Sequence, residues 1–396
     1  MNTSFADIEK KENRKDLIIS ICVFLSGFSC FAQLYYFQPL LPDLAKDFIL
    51  SASESSFAIS FSTLGMVFGL FTTMFVADRI PRKKMIGTGL LSSSIFSVAA
   101  SFSPTFLPLI LLSAAKGFLL SGATSVSMAY IAEEVSSRNK GKIMGLYIAG
   151  NALGGMAGRV ISSWIGALYT WRIASVSIGL ICALLFSPRS TNFMPRKESF
   201  HTLIIANLQL ITSKALIPFY LTGGLILGVF VSLYNYLGFY LTKAPFNFPE
   251  HYIHYIYLMY IFGIFGSIAT AGLTRYFTHF KVLKAMFLVS AAGILLLYIT
   301  DFRVVTLGLA VFTFNFFVVH VLCNRIVSDY NLSKRSVTIS IYLLTYYLGS
   351  SLLGWGTGVI LDTWGWQYFL GSLILILLIN YGIVTGGIKR MRADLS

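Results

Sequence analysis

Residues 141–159 read GKIMGLYIAGNALGGMAGR, with glycines at 141, 145, 150, 154, 155 and 158 inside an otherwise apolar run. Each glycine costs a helix interior about 1 kcal/mol relative to alanine, so a cluster needs a compensating gain. In a membrane helix that gain is close backbone approach between neighbours, with small residues four apart on one face. Gly150, Gly154 and Gly158 have that spacing. Arg159 follows at once, where charge is expensive and functional by default. Two readings fit: a hinge lining a cavity, or a packing seam whose arginine reaches the membrane interface.

The rest of the chain has the composition of a membrane protein. Its 396 residues are 56% hydrophobic and 12% charged, and the mean hydropathy is +0.74. A soluble domain is not built this way, and bilayer-length apolar runs must recur. The net charge of +14 would point to nucleic acid in a soluble protein. Here it follows from basic residues gathered on one membrane side, so no nucleic-acid partner is expected. Cys22, Cys30, Cys182 and Cys323 lie in apolar segments without metal or redox spacing and read as small buried hydrophobes. The apolar run Leu17–Phe37 is long for a signal-peptide core and no small-x-small cleavage site follows, so it is expected to remain as a first span.

Twelve spans can be drawn: 17–38, 55–77, 85–103, 106–131, 141–166, 171–187, 215–238, 252–273, 282–300, 304–325, 336–361 and 366–388. Each has about the 17–25 residues that crossing the hydrocarbon requires. With a cytoplasmic N-terminus, 24 of the 30 basic residues fall in inside segments and Lys46, Arg172, Lys243 and Arg303 fall outside. The positive-inside bias therefore predicts that both termini are cytoplasmic. Segment 188–214 is the longest connection and contains Arg189, Arg196, Lys197 and Lys214. Its apolar middle, 200–211, suits an amphipathic surface helix. Offset by 200, Gly154 and Gly158 meet Gly354 and Gly358, and Trp171 is echoed by Trp364 and Trp366. The expectation is an all-α polytopic membrane protein with twelve transmembrane helices in two pseudo-symmetric six-helix bundles. The bundles would be 1–187 and 215–396, joined by a cytoplasmic loop at 188–214, with a site between them near the midplane.

The glycine pattern resembles the span-5 motif of the drug–proton antiporter branch of the major facilitator superfamily: Gly141, Gly150, Gly154-Gly155, Gly158-Arg159. Gly155 stands at the motif's proline and Arg159 at its last glycine. A second match is the loop from Met74 through Asp78, Arg79, Pro81, Arg82 and Lys83, similar to the family's Gly-x-Leu-Ala-Asp-Arg-x-Gly-Arg-Lys signature. The resemblance implies a conformational latch there, carried by Asp78, Arg79 and Arg82. In the family's span-4 pattern Gly117 matches, while Ser113 occupies the arginine position linked to proton coupling and Lys116 the glutamine position. The segments around Gln38-Pro39, Gly154–Arg159 and Trp171-Arg172 are similar to the YnfM-type inner-membrane group of the family. This implies the bacterial cytoplasmic (inner) membrane.

Intramembrane polar groups are the candidates for a transport path. Arg159 could attract an anion or hold a counter-carboxylate, and Lys116 could share that task, although both could instead snorkel to the headgroups. No Asp or Glu falls in the middle of a span, so Asp43 and His320 are the candidates for carrying a proton. Gln33, Tyr36 and Tyr346, with Tyr35, Gln38, Tyr342 and Tyr347, would suit a semi-polar organic ligand, whereas Tyr234 and Tyr236 also fit an interfacial aromatic belt. The conformational gate is assigned to Asp78, Arg79, Arg82, Gly150, Gly154 and Gly158. Glu250, His251 and His254 make a weak metal spacing, and no metal or cofactor is expected. There is no phosphate loop or nucleophile–base pair, so the chain is not expected to be an enzyme. The expected function is a monomeric secondary carrier that moves a small organic solute by alternating access, through proton-coupled efflux. The alternatives are uptake or exchange of an anionic nutrient and, more distantly, a non-transporting polytopic membrane protein.

Overall fold

A computed structural model describes residues 5–136, 138–184, 210–330 and 335–395, so most of the expected amphipathic segment at 200–211 lies outside the described residues. Helix α1 covers Phe5–Tyr35 and breaks where Pro39 denies a backbone donor. A 3₁₀ turn, Gln38–Leu40, leads into α2, Leu41–Phe48. The first span is therefore a broken helix longer than the expected 17–38. A four-residue turn, α3 (Ala52–Ser55), follows, capped by Ser51 and Glu54. Next come α4 (Phe57–Val76), α5 (Arg82–Ala100), α6 (Phe106–Glu134), α7 (Lys140–Leu168) and α8 (Trp171–Leu184). The second series is α9 (Ile217–Leu241), a 3₁₀ segment Glu250–Met259 continuing as α10 (Tyr260–Tyr276), α11 (His279–Leu295), α12 (Phe302–Tyr330), α13 (Arg335–Trp364) and α14 (Trp366–Leu395).

Among the described residues nine helical segments are long and apolar enough to cross a bilayer. Helices α5, α7 and α8 stand at the expected third, fifth and sixth spans without reaching that measure. Serines and lysines dilute α5 and glycines dilute α7, while α8 is described for only 14 residues.

The packing repeats. In the first series α1 packs on α7, α4 on α6, and α5 on α6 and α8. In the second, α9 packs on α13, α10 on α12, and α11 on α12 and α14. Both series thus use the same span pairs, first with fifth, second with fourth, third with fourth and third with sixth. Between the series α4 meets α13, and α7 meets the 3₁₀ segment leading into α10.

The glycine stripe explains the closest approach. A Cβ added to Gly150, Gly154 or Gly158 would strike the α1 backbone at Phe24, Phe28 or Ala32. The stripe is a seam inside the first bundle. Its counterpart is the contact of Gly224 and Gly228 on α9 with Gly349 on α13. The sequence twins Gly354 and Gly358 sit elsewhere: a Cβ on Gly354 would meet Asn235 and Ser60, and one on Gly358 would meet Tyr236 and Ser53.

The bundles are joined near the C-terminal end of α1. There the Ser53 N–H donates to Asp362 Oδ2 at 2.9 Å, the Thr63 and Ser351 hydroxyls share a hydrogen bond of 2.7 Å, and Phe57 stacks on Trp355 at 5.7 Å. At the opposite end Lys15 pairs with Glu134 at 2.9 Å and Arg82 with Glu133 at 3.2 Å, both inside the first bundle.

Candidate functional site

Among the described residues Arg159 is the largest fully buried side chain, 2% exposed, and it lies where the bundles meet. Its Nε–H donates to Gln38 Oε1 at 2.5 Å, and Nη1 donates to the Gly155 carbonyl at 2.5 Å. Tyr35 of the first bundle and Tyr260 of the second offer their ring faces to the guanidinium carbon at 4.3 and 4.5 Å. Desolvated cation–π contacts of this kind contribute about 2 kcal/mol each. Among the described residues Nη2 makes no hydrogen bond and no carboxylate pairs with Arg159. The arginine is enclosed, not snorkelling to the headgroups.

The break in α1 places Gln38. Held in the 3₁₀ turn and 1% exposed, it accepts from Arg159 and donates through Nε2 to Asn235 Oδ1 at 2.7 Å and to the Val231 carbonyl at 3.2 Å, both on α9. Asn235 Nδ2 is buried without a partner.

Lys116 does not join this site. Consecutive residues of α1 and the turn after it each face a different cation: Tyr35 covers Arg159, while the Tyr36 ring lies 4.3 Å from Lys116 Nζ and the Phe37 ring 4.9 Å from it. Lys116 is 1% exposed and Nζ has no hydrogen-bond partner among the described residues. Around it the Tyr36 hydroxyl bonds Ser175 Oγ at 2.7 Å, Ser175 donates to the Ser97 carbonyl, and Ser97 Oγ donates to Gln33 Oε1 at 3.3 Å. Gln33 and Tyr36 therefore belong to the interior of the first bundle. A lone buried cation is destabilising, so Lys116→Met should leave stability unchanged or raise it by up to about 3 kcal/mol, with the melting temperature unchanged or higher. A fall in melting temperature for purified protein in detergent would reveal a counter-charge and refute this.

His320 and Tyr346 come together in the second bundle. His320 Nδ1 lies 3.0 Å from the Tyr342 hydroxyl, and its ring is 4.6 Å from that of Tyr346. Asp43 stands apart, half-buried in the first turn of α2 beside Gly166. Gly166 is seven residues beyond Arg159, about 10 Å along the helix.

Of the gate residues, the Asp78 side chain lies outside the described residues and Arg79 is exposed. Arg82 donates to the Ala77 carbonyl at 2.6 Å and to Glu133 at 3.2 and 3.3 Å, tying the end of α4 to α6. The side chains of Glu250 and His251 lie outside the described residues, and among those described no cluster of His, Cys, Asp or Glu could hold a metal. The sequence reading did not foresee Tyr260 and Glu133. A lone pair of acids on the basic side, Glu133-Glu134, was the available signal for the latter; Tyr260 is one of several tyrosines in its segment and carried none.

A sequence profile described as Major Facilitator Superfamily matches residues 20–354. The chain belongs to the major facilitator superfamily. Across 382 residues it is 32% identical to the inner membrane transport protein YnfM of Escherichia coli K12, covering 95% of this chain and 91% of that one. Over 180 residues, 43% of this chain and 39% of the other, it is 26% identical to a benzoate transport protein of Acinetobacter baylyi. Its fold superposes with a TM-score of 0.78, at 11% identity, on a bacterial homologue of the human lysosomal transporter Spinster, solved inward-facing and occupied. That match covers 95% of this chain and 97% of the other. As a member of this superfamily the protein is a multi-pass secondary transporter of the bacterial membrane. Arg159 lies in the contact zone between the bundles that such a transporter moves.

Proposed function

We propose that this transporter carries a small organic anion, of the aromatic carboxylate class, through alternating access around Arg159. The observation that carries the reading is a buried guanidinium with no carboxylate partner among the described residues, faced by Tyr35 and Tyr260 from the two bundles. Guanidinium binds carboxylate through short, charge-assisted hydrogen bonds, and Nη2 is available to make one. The tyrosine rings suit a flat apolar body. The partial similarity to a benzoate transport protein supports the same class.

Benzoate and its neutral isostere benzamide separate charge recognition from simple burial. In thermal-shift measurements on the purified transporter, benzoate should raise the melting temperature and benzamide should not. Equal stabilisation by both would remove the anion from the reading.

A second reading, proton-coupled efflux by a monomer with both termini inside, is favoured by one feature. His320 contacts the Tyr342 hydroxyl and the Tyr346 ring and could pass a proton as access alternates. An imposed pH gradient across proteoliposomes should then drive benzoate movement, and His320→Gln should remove the dependence on the gradient while exchange persists. Gradient-independent movement in the wild type would exclude proton coupling.

A further inference from the structure

Gln38 is held by partners in different bundles through the two ends of one planar amide. Oε1 accepts from Arg159 on α7, and Nε2 donates to Asn235 and Val231 on α9. The ends are rigidly linked, so a rotation that follows the guanidinium also withdraws the amine from α9. Burial at 1% and the turn containing Pro39 leave Gln38 little freedom to adjust one end alone.

The far end of the relay has a second arrangement available. Asn235 Nδ2 and Ser60 Oγ are both buried without partners, and both lie 3.5 Å from the point where a Gly354 Cβ would stand. Asn235 is on α9 and Ser60 on α4, in opposite bundles. Once Gln38 lets go of Asn235 and Val231, Asn235 can turn towards Ser60, so two bonds across the bundles give way to one. Two discrete bonding patterns at one interface are what a two-state transporter requires.

We propose that Gln38 is the positioning residue through which Arg159 controls closure of the bundles. A carboxylate is a stronger acceptor for guanidinium than an amide oxygen. An anion at Arg159 therefore draws the guanidinium from Gln38, and Gln38 in turn loosens from Asn235. The trigger rests on the anion reading above; the relay rests on the three side chains alone.

The test measures closure with a cysteine pair, Phe57→Cys with Trp355→Cys, cross-linked by a short bifunctional reagent. A Cys22→Ala background leaves only buried natural thiols. The net loss of one cross-bundle hydrogen bond should lower closure about fivefold. Gln38→Ala and Arg159→Lys are each expected to cause that fall, and the double variant should fall no further, because both cut one relay. Gln38→Glu keeps a bond to Arg159 and loses the donor to Asn235 and Val231, so it should lower closure to the same degree without lowering the melting temperature. It replaces the alanine variant if that one does not fold. Closure unchanged in the Gln38 variants, or a double effect equal to the product of the singles, would overturn the relay. In the wild-type relay, benzoate should lower cross-linking. If benzoate neither binds nor changes cross-linking while the cycle stays non-additive, the anion reading fails and the relay stands.

Discussion

Arg159→Ala is expected to reduce transport of an aromatic carboxylate by about two orders of magnitude. Charge-assisted hydrogen bonds contribute about 1.5–3 kcal/mol each, a factor of roughly 10 to 150. Here the guanidinium also provides the positive charge between Tyr35 and Tyr260. The variant should nevertheless fold. It strands Gln38 Oε1 without its donor but removes a buried charge that has no counter-carboxylate among the described residues, and these effects oppose each other. Arg159→Lys should fall between the wild type and alanine, because a single ammonium cannot hold Gln38 and present a fork to the anion. Initial uptake rates in proteoliposomes, read beside melting temperatures, separate loss of binding from loss of fold. Wild-type uptake by the alanine variant would show that the substrate never meets this residue.

The second large effect belongs to the glycine stripe. Gly154→Val should destabilise the transporter by about 3 kcal/mol or more, because the new side chain meets the α1 backbone at Phe28, not a movable side chain. Helices α1 and α7 would separate, and with them Gln38 and Arg159. Gly141 and Gly145, from the same stretch, have nothing within 4 Å of an added Cβ. Alanine at either should be neutral or stabilise by up to about 1 kcal/mol through helix propensity. Thermal unfolding in detergent distinguishes these outcomes. A Gly154→Val protein as stable as the wild type would mean that the seam is not the close contact described.

What the sequence revealed followed from signals that are local or periodic. Hydropathy and positive-inside charge indicated the spans, even those of α5 and α7, whose own apolarity is modest. Spacing of four identified Gly150, Gly154 and Gly158 as a close-approach face, but it could not say which helix approaches. That helix is α1, and the second-bundle seam distributes its glycines over α9 and α13, so an offset of 200 pointed to Gly354 and Gly358 instead of Gly224 and Gly349. Arg159 stood out because a charge after a glycine stripe is rare. Lys116 stood out equally, and only three dimensions separate them, through the opposite facing of Tyr35 and Tyr36. Gln38 was visible as a polar residue, but its link to Asn235 spans 197 positions and left no trace in the sequence pattern.

Counterflow tests the central claim most directly. Proteoliposomes loaded with unlabelled benzoate and diluted into labelled benzoate should accumulate label transiently when they hold the wild-type transporter. Trapped benzamide should not support this, and Arg159→Ala should abolish it. Counterflow driven equally by the amide, or persisting in the alanine variant, would contradict an anion carrier organised around Arg159.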